Sequence, residues 1–292
     1  MTPTYDPSPI KRRRRTGAEV ETIRAAIVAF AREDHPTTNR HLFYQVAGLG
    51  LIEKTEAEYK RTICRLSVQM REAGRLPFPW ITDGTRWVRR PRTYSSLENA
   101  LYRTAETYRR ALWDDQPVRV EIWAEKDAIA GILYAVTSVW DVPLYVVRGY
   151  GSVSYLHEAA LEAREDGRPT YIYHFGDHDP SGLDIERHVR EKLRQYAGAG
   201  VALHFERLAV TPEQIVADAL PTRPTKRSDS RAARFEGASV DVDTLAPSAL
   251  RGLAEAAILR HIDARTRYRL ARVEAGEREA LERIAAGIGG GR

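Results

Sequence analysis

Two aspartates, Asp177 and Asp179, stand one residue apart in the stretch 171–185. Residues 170–175 before them are rich in aromatic and β-branched types and predict a β-strand, and Pro180 follows as a helix opener. Ligands of an open α/β sheet bind at the carboxyl ends of its strands, so both carboxylates are expected in that crevice. Ionised together they repel each other unless a cation lies between them, and oxygen ligands favour Mg²⁺. The alternative is a solvated acidic turn that only caps the next helix.

A third carboxylate, Glu125, follows another predicted strand at residues 118–124. Since parallel strands end at the same edge of a sheet, Glu125 is expected beside the two aspartates, in a cage for one or two divalent ions. A charged residue after a buried strand is common, so the prediction depends on the three acids together. Lys126 and Arg148 also lie beside predicted strand ends, where they contact either phosphate or neighbouring acids in surface salt bridges.

These motifs resemble a known family. Glu125-Lys126 after a strand, with Asp-x-Asp-Pro-x-Gly-x-Asp-Ile over residues 177–185, is similar to the Toprim domain of the topoisomerase VI A subunit and its meiotic double-strand-break relatives. Upstream, residues 38–44 resemble the winged-helix segment of that family, in which an arginine precedes a tyrosine pair and the second tyrosine attacks DNA. By position, the resemblance implies Tyr44 as the nucleophile and Arg40 as its assisting cation.

The resemblance further implies metal ligation and assembly. It implies that Mg²⁺ is held by Glu125, Asp177 and Asp179, and that the tyrosine of one subunit meets the metal site of the other in a homodimer. Two local departures stand out: Phe43 replaces the first tyrosine of the pair, and the proline usual after Gly149-Tyr150 is absent. No Gly-rich ATPase module is found, so the chain is most similar to stand-alone mini-A relatives. A separate ATPase subunit stays an open alternative.

The tyrosine assignment is chemically consistent. A phenol has a pKa near 10, so its attack on a phosphodiester needs nearby positive charge. Arg40 lies four residues before Tyr44, which places both side chains on one face of a helix. The alternative is that Tyr44 is a core aromatic of an amphipathic helix.

Residues 17–93 are expected to form a winged-helix domain that binds double-stranded DNA. Apolar residues recur at helical spacing over 17–31, 40–47 and 55–74, and residues 77–86 resemble the wing. An unrelated helical subdomain is the alternative. The tail, residues 1–16, contains a basic run that is either a DNA contact or a solvated tail. This run consists of Lys11, Arg12, Arg13, Arg14 and Arg15.

Residues 118–292 are expected to form an α/β Toprim domain with a doubly wound, mainly parallel sheet and C-terminal helices, joined to the first domain by a linker helix within residues 94–117. The predicted strands are 118–124, 143–147, 170–175 and 201–208. The predicted helices are 95–112, 128–138, 152–164, 185–196, a short helix from 211 to about 220, 250–262 and 264–286. The polar stretch 223–234 is predicted to be irregular.

Bulk composition sets wider limits. The 292 residues include 45 Lys and Arg against 40 Asp and Glu, and the pI near 9.3 leans towards an anionic partner. No apolar run approaches the length of a membrane span, and the single cysteine, Cys64, cannot form an internal disulfide. Cys64 is expected to be buried, and a cytoplasmic location is expected.

The leading hypothesis is a Mg²⁺-dependent transesterase that cuts DNA through a phosphotyrosyl link. Two alternatives stay open: a Toprim nuclease that hydrolyses DNA without Tyr44, and a DNA-binding protein of the same fold that does not cut. Composition and motif spacing do not decide among them.

Overall fold

The computed structural model of the chain describes residues 15–81, 91–224, 235 and 237–289. The chain divides into two compact units, residues 1–81 and residues 82–292. Residues 94–117, which the sequence suggested as a linker, belong to the second unit. Within the described residues, no helix combines the length and the apolar character that crossing a membrane requires.

The first unit consists of helices around an apolar core. α1 (Gly17–Glu33) and α2 (Asn39–Gly48) begin after Thr16 and Thr38, whose hydroxyls accept backbone N–H groups of the first turn. A longer helical run follows, made of α3 (Glu56–Glu58), the π-helical segment Tyr59–Cys64 and α4 (Arg65–Glu72). α1, α2, the π-helical segment and α4 contribute apolar side chains to one core, among them Ile23, Ile27, Leu42, Val46, Ile63, Leu66 and Met70.

The predicted wing is described only in part. Phe78–Trp80 form one 3₁₀ turn, and Ile81 then makes a single parallel bridge with Thr37. Residues 82–86, the remainder of the predicted wing, lie outside the described residues. The first unit is therefore a helical unit, and its assignment as a winged helix stays a prediction.

The second unit contains a four-stranded, all-parallel sheet, which confirms the expected α/β class. β1 (Arg119–Ala124), β2 (Leu144–Val146), β3 (Thr170–Phe175) and β4 (Leu203–Ala209) lie in the order β2-β1-β3-β4. The strands are joined in sequence by α6 (Asp127–Thr137), α7 (Val153–Asp166) and α8 (Pro180–Ala197). Ala124 and Phe175 are register partners, so β1 and β3 end side by side.

Helices cover both faces of the sheet. Alternate residues of β1 point to opposite sides: Ile122 packs in the core formed with α6, and Trp123 packs in the core formed with α7 and α8. The chain runs outward from β1 to β2 and then returns to β3 on the other side of β1. This reversal creates a topological switch point between the carboxyl ends of β1 and β3, the place where such sheets bind ligands.

The described residues of this unit also form α5 (Leu97–Thr107), α9 (Pro212–Ala217), the 3₁₀ turn Val242–Thr244, α10 (Pro247–Leu259) and α11 (Ala264–Gly289). The sequence prediction of a helix over 95–112 was too long. α5 ends at Thr107 because Tyr108 is extended and tied to α11: its hydroxyl donates to Glu277, and its carbonyl accepts from Arg278. α8 begins at Pro180, five residues earlier than the prediction for that helix.

Candidate functional site

The ends of β1 and β3 meet through Glu125. The backbone N–H of Glu125 donates to the carbonyl of Phe175 (2.9 Å), which continues the strand pairing by one residue. The Glu125 Oε2 atom then accepts the backbone N–H of Asp177 (3.0 Å). Glu125 and Asp177 are both buried, with 7% and 6% of their surface exposed. The structure therefore brings these two predicted site residues into contact at the switch point.

Two glycines make this close approach feasible. A Cβ at Gly176 would lie 2.6 Å from Glu125 Oε2 and 2.6 Å from His174 Cε1. A Cβ at Gly182 would lie 2.3 Å from the carbonyl oxygen of Asp177. A side chain at Gly182 would push the turn after β3 away from its neighbours, and a side chain at Gly176 would displace the buried side-chain ends of Glu125 and His174.

Asp179 is the N-cap of α8 and also faces the site. Its Oδ1 accepts the backbone N–H of Gly182 (2.8 Å), as expected of an N-cap aspartate. Its Oδ2 lies 3.0 Å from an Nη2 of Arg223. Arg207 of β4 supports the turn by donating to the carbonyls of Gly176 (3.0 Å) and Asp177 (3.2 Å). The acidic turn is therefore a fixed part of the sheet edge and not a freely solvated loop.

A distant segment adds two further aspartates that sequence reasoning missed. His178 and Val240 exchange backbone hydrogen bonds of 2.9 Å in an antiparallel bridge, and Val242 N–H donates to Asp177 Oδ1 (2.9 Å). This pairing places the buried residues Asp241 and Asp243 beside the turn. The alternation Asp241-Val242-Asp243 repeats that of Asp177-His178-Asp179 and was the available signal.

Two cations lie among these acids. Lys126 Nζ lies 2.7 Å from Asp177 Oδ2, 3.4 Å from Asp241 Oδ1 and 3.7 Å from Asp243 Oδ2. Arg223 bridges Asp179 and Asp241 at 3.0 Å and 2.9 Å. We call the five acids at this sheet edge the acidic cluster: Glu125, Asp177, Asp179, Asp241 and Asp243. Lys126, predicted to contact phosphate, thus directs its ammonium into the acidic cluster.

Burial and neighbouring charges shift the pKa values of Glu125, Asp177 and Lys126. Burial, reinforced by the charge of Asp177, raises the pKa of Glu125 to about 7. Burial also raises the pKa of Asp177, although Lys126 opposes this effect. Burial lowers the pKa of Lys126, but the charges of Asp243, Asp177 and Asp241 outweigh it, and the net shift is upward. The site consequently favours the approach of positive charge.

The donor chemistry of the acidic cluster fits a hard divalent ion, because it offers carboxylate oxygens at a sheet edge. Among the residues that the structure describes, however, no group of three or more His, Cys, Asp or Glu has the arrangement of a metal site. Nitrogen atoms of Lys126 and Arg223 lie within ion-pair distance of Asp177 and Asp241 instead. His174, fully buried beneath the turn, stays neutral at physiological pH because burial lowers its pKa to about 3.

Arg148, the other predicted phosphate contact of this unit, pairs with Asp127, which is not part of the acidic cluster. Its Nε is 2.9 Å from the carboxylate of Asp127, and 63% of its side chain is exposed. Asp184, in α8, accepts from the Tyr150 hydroxyl (2.5 Å) and pairs with Arg187 (2.6 Å). Arg148 therefore remains accessible to an anion at this end of the unit.

The first unit holds Arg40 and Tyr44 on α2, one turn apart. Phe43 is buried, whereas Tyr44 is half-buried, with its ring 5.3 Å from that of Phe43. The Arg40 Nη1 atom lies 2.9 Å from Glu56 Oε2, and its guanidinium stacks 3.8 Å above the ring of Tyr59. Tyr44 thus rests against the core at one side while part of its surface stays open to solvent.

Most of the predicted basic run falls outside the described residues. Residues 11–14 are among those that the structure does not describe. Arg15 is described, and its Nη1 lies 2.9 Å from Glu58 Oε2 and 3.1 Å from the hydroxyl of Thr62. Arg15 is therefore engaged by an acid of the first unit.

Comparison with known proteins adds no family to this geometry. No family model matches the sequence, and a search of curated proteins finds no match.

Proposed function

We propose that the protein is a Mg²⁺-dependent, DNA-cleaving transesterase of the topoisomerase VI A type, built from a winged-helix unit and a Toprim unit and acting as a homodimer. The observation that carries the proposal is the contact between Glu125 and Asp177 at the switch point of the parallel sheet. The Asp-x-Asp-Pro-x-Gly-x-Asp-Ile motif over residues 177–185 supports the same family assignment.

In the proposed reaction, the phenolic oxygen of Tyr44 attacks a phosphorus atom of duplex DNA. A new oxygen–phosphorus bond forms as the bond from phosphorus to one sugar oxygen breaks, and the proton of the phenol ends on that sugar oxygen. Arg40 stabilises the negative charge that develops on the phosphoryl oxygens. The phosphotyrosyl link conserves the energy of the phosphodiester, so the sugar hydroxyl can reverse the reaction and reseal the strand.

Mg²⁺ would be held by Glu125, Asp177 and Asp179. When bound, it supplies positive charge that stabilises the phosphate oxygens during transfer. The protein residues around these acids orient and balance them: the backbone N–H of Asp177 fixes Glu125, and Lys126 lowers the repulsion among the aspartates. Mg²⁺ and Lys126 would thus neutralise the same excess of negative charge.

A second candidate function is DNA binding without cleavage. The observation that favours it is the ammonium of Lys126, which pairs with three aspartates of the acidic cluster. If the Lys126 ammonium permanently takes the place of a metal ion, the protein would bind DNA without cutting it.

A cleavage assay with supercoiled DNA and Mg²⁺ tests the proposal. We expect broken DNA whose ends carry protein until a protease removes it, and loss of this product in Tyr44→Phe and in Asp177→Ala. Tyr102→Phe, which alters an exposed tyrosine of α5, serves as the matched control and should cut normally. Free ends that persist in Tyr44→Phe would indicate hydrolysis instead, and intact DNA with a mobility shift would indicate binding alone.

A further inference from the structure

A lysine that the sequence analysis did not single out lies against Tyr44. The chain turns after α2 at Gly50, whose φ of +71° favours glycine, and the following segment returns to the helix. Lys54 Nζ lies 4.9 Å from the centroid of the Tyr44 ring. Lys54 is exposed, and Tyr44 is half-buried, so this cation contacts the tyrosine at the surface of the first unit.

Arg40 contacts two other residues of the first unit. Its guanidinium is stacked on Tyr59 at 3.8 Å and hydrogen-bonded to Glu56 at 2.9 Å and 3.4 Å. Burial alone would lower the pKa of Arg40, but the hydrogen bond from Arg40 to Glu56 and the charge of Glu56 raise it by more. The net shift is upward, so the guanidinium stays charged. Arg40 is therefore held by an acid and an aromatic ring, and Lys54 supplies a second cation beside Tyr44, on a flexible stem.

We infer that Lys54 binds a DNA phosphate next to Tyr44 and holds it beside the phenol. This inference deepens the proposed function and rests on it. The phenolic oxygen is attached to the ring that Lys54 Nζ approaches to 4.9 Å from its centroid, and the flexible lysine stem can extend towards a phosphate placed at that oxygen. A lysine ammonium suits this role because it binds phosphate as a compact point charge with three donors.

Salt-dependent DNA binding by the full-length protein tests the inference. Duplex affinity is measured over a series of salt concentrations for wild type, Lys54→Met and Lys54→Arg. We expect Lys54→Met to weaken binding and to reduce the slope of log affinity against log salt by about 1, since one phosphate contact is lost. Lys54→Arg retains the charge and should retain the slope.

The matched control is Lys192→Met. Lys192 also lies over a tyrosine ring, at 5.7 Å from Tyr196, but on α8 of the second unit, and its loss should leave the slope unchanged. An unchanged slope in Lys54→Met, or an equal loss in Lys192→Met, would overturn the inference. Equal urea midpoints for wild type and Lys54→Met would establish that the variant folds.

The same variants separate this inference from the proposed function. Covalent DNA product should form on the order of tenfold to a hundredfold more slowly in Lys54→Met than in Lys54→Arg. Wild-type protein that binds DNA with the Lys54-dependent slope but forms no covalent product would overturn cleavage while supporting the phosphate contact. Wild-type protein that does not bind duplex DNA would overturn both.

Discussion

At the scale of single residues, the site is defined by two carboxyl groups that are buried next to each other. Ionising both of them there costs free energy. Glu125 and Asp177 are both buried and lie in direct contact through the backbone of Asp177. Their raised pKa values show that each ionises less readily there than in water. Lys126 relieves part of this repulsion, so the charge of Lys126 should be coupled to the binding of Mg²⁺.

Lys126→Met tests that coupling. Removing one partner of a largely buried ion pair should lower the free energy of unfolding by about 3 kcal/mol when EDTA is present. Mg²⁺ should restore part of the loss, because it supplies the positive charge that Lys126 no longer provides. Urea denaturation with EDTA and with Mg²⁺ measures both effects, and Lys192→Met is the control. An identical response to Mg²⁺ in wild type and Lys126→Met would contradict the coupling.

Glu121 provides a pH-dependent test away from the acidic cluster. It is 1% exposed, its Oε2 accepts from Trp123 Nε1 (2.7 Å), and burial raises its pKa to about 7. An unfolded glutamate ionises near pH 4.3, so between about pH 4.5 and 7 the folded protein binds more protons than the unfolded chain. Stability should therefore fall as pH rises through this window and level off above it.

Glu121→Gln should remove the part of this pH dependence that Glu121 contributes, about 3 kcal/mol between pH 4.5 and 8. The glutamine keeps an acceptor for Trp123, and Glu125 keeps its own contribution to the slope. Urea denaturation of both proteins at several pH values gives the comparison. Parallel curves for wild type and Glu121→Gln would show that the assignment is incorrect.

At the scale of elements, the turn between β3 and α8 organises the site. Gly182 lies in the first turn of α8, and a Cβ there would be 2.3 Å from the carbonyl oxygen of Asp177. That oxygen is backbone and cannot rotate away as a side chain would. The turn therefore keeps its position only while residue 182 has no side chain.

Gly182→Ala should lower the free energy of unfolding by about 1–3 kcal/mol, because the turn must shift to admit a methyl group. Gly252→Ala in α10 is the matched control: a Cβ there meets nothing within 4 Å. Since alanine favours helices, the control should be neutral or up to about 1 kcal/mol more stable. Thermal denaturation distinguishes the two, and equal stability of Gly182→Ala and wild type would contradict the steric argument.

The sequence predicts helices and strands well where their boundaries depend on a local residue pattern. It predicts them poorly where contacts with distant residues set the boundaries. Strand 170–175 was predicted at its observed bounds, because its aromatic and β-branched residues are a local signal. The end of α5 could not be predicted, since α11 captures Tyr108 from 169 residues away. The π-helical segment Tyr59–Cys64 has no local signature in the sequence. It was included in one continuous predicted helix.

The site likewise contains residues that a local pattern predicts and residues that only distant contacts bring in. Glu125, Asp177 and Asp179 follow strands, so their position at one sheet edge could be inferred from the alternation of strands and helices. Asp241 and Arg223 are brought to the site by backbone pairing of Val240 with His178 and of Arg223 with Ser239. Such pairing depends on tertiary structure, and the intervening stretch gives no periodic pattern.

At the scale of the whole molecule, charge is unevenly distributed between the acidic cluster and the remainder. The chain has 45 Lys and Arg against 40 Asp and Glu. Because the acidic cluster gathers five acids that pair with two cations, Lys126 and Arg223, the rest of the chain carries a larger positive excess. A polyanion such as DNA suits that excess, and a metal ion suits the acidic cluster.

The central claim is that Tyr44 becomes covalently linked to DNA, and peptide mass spectrometry measures this directly. Protein incubated with DNA and Mg²⁺ is trapped by denaturation, and the DNA is digested with nuclease before trypsin treatment. Cleavage after Arg40 and Lys54 releases residues 41–54, a peptide in which Tyr44 is the only tyrosine. We predict that this peptide carries a nucleotide phosphate on Tyr44. Cut DNA accompanied only by unmodified 41–54 peptide, or by a nucleotide on another residue, would contradict the account.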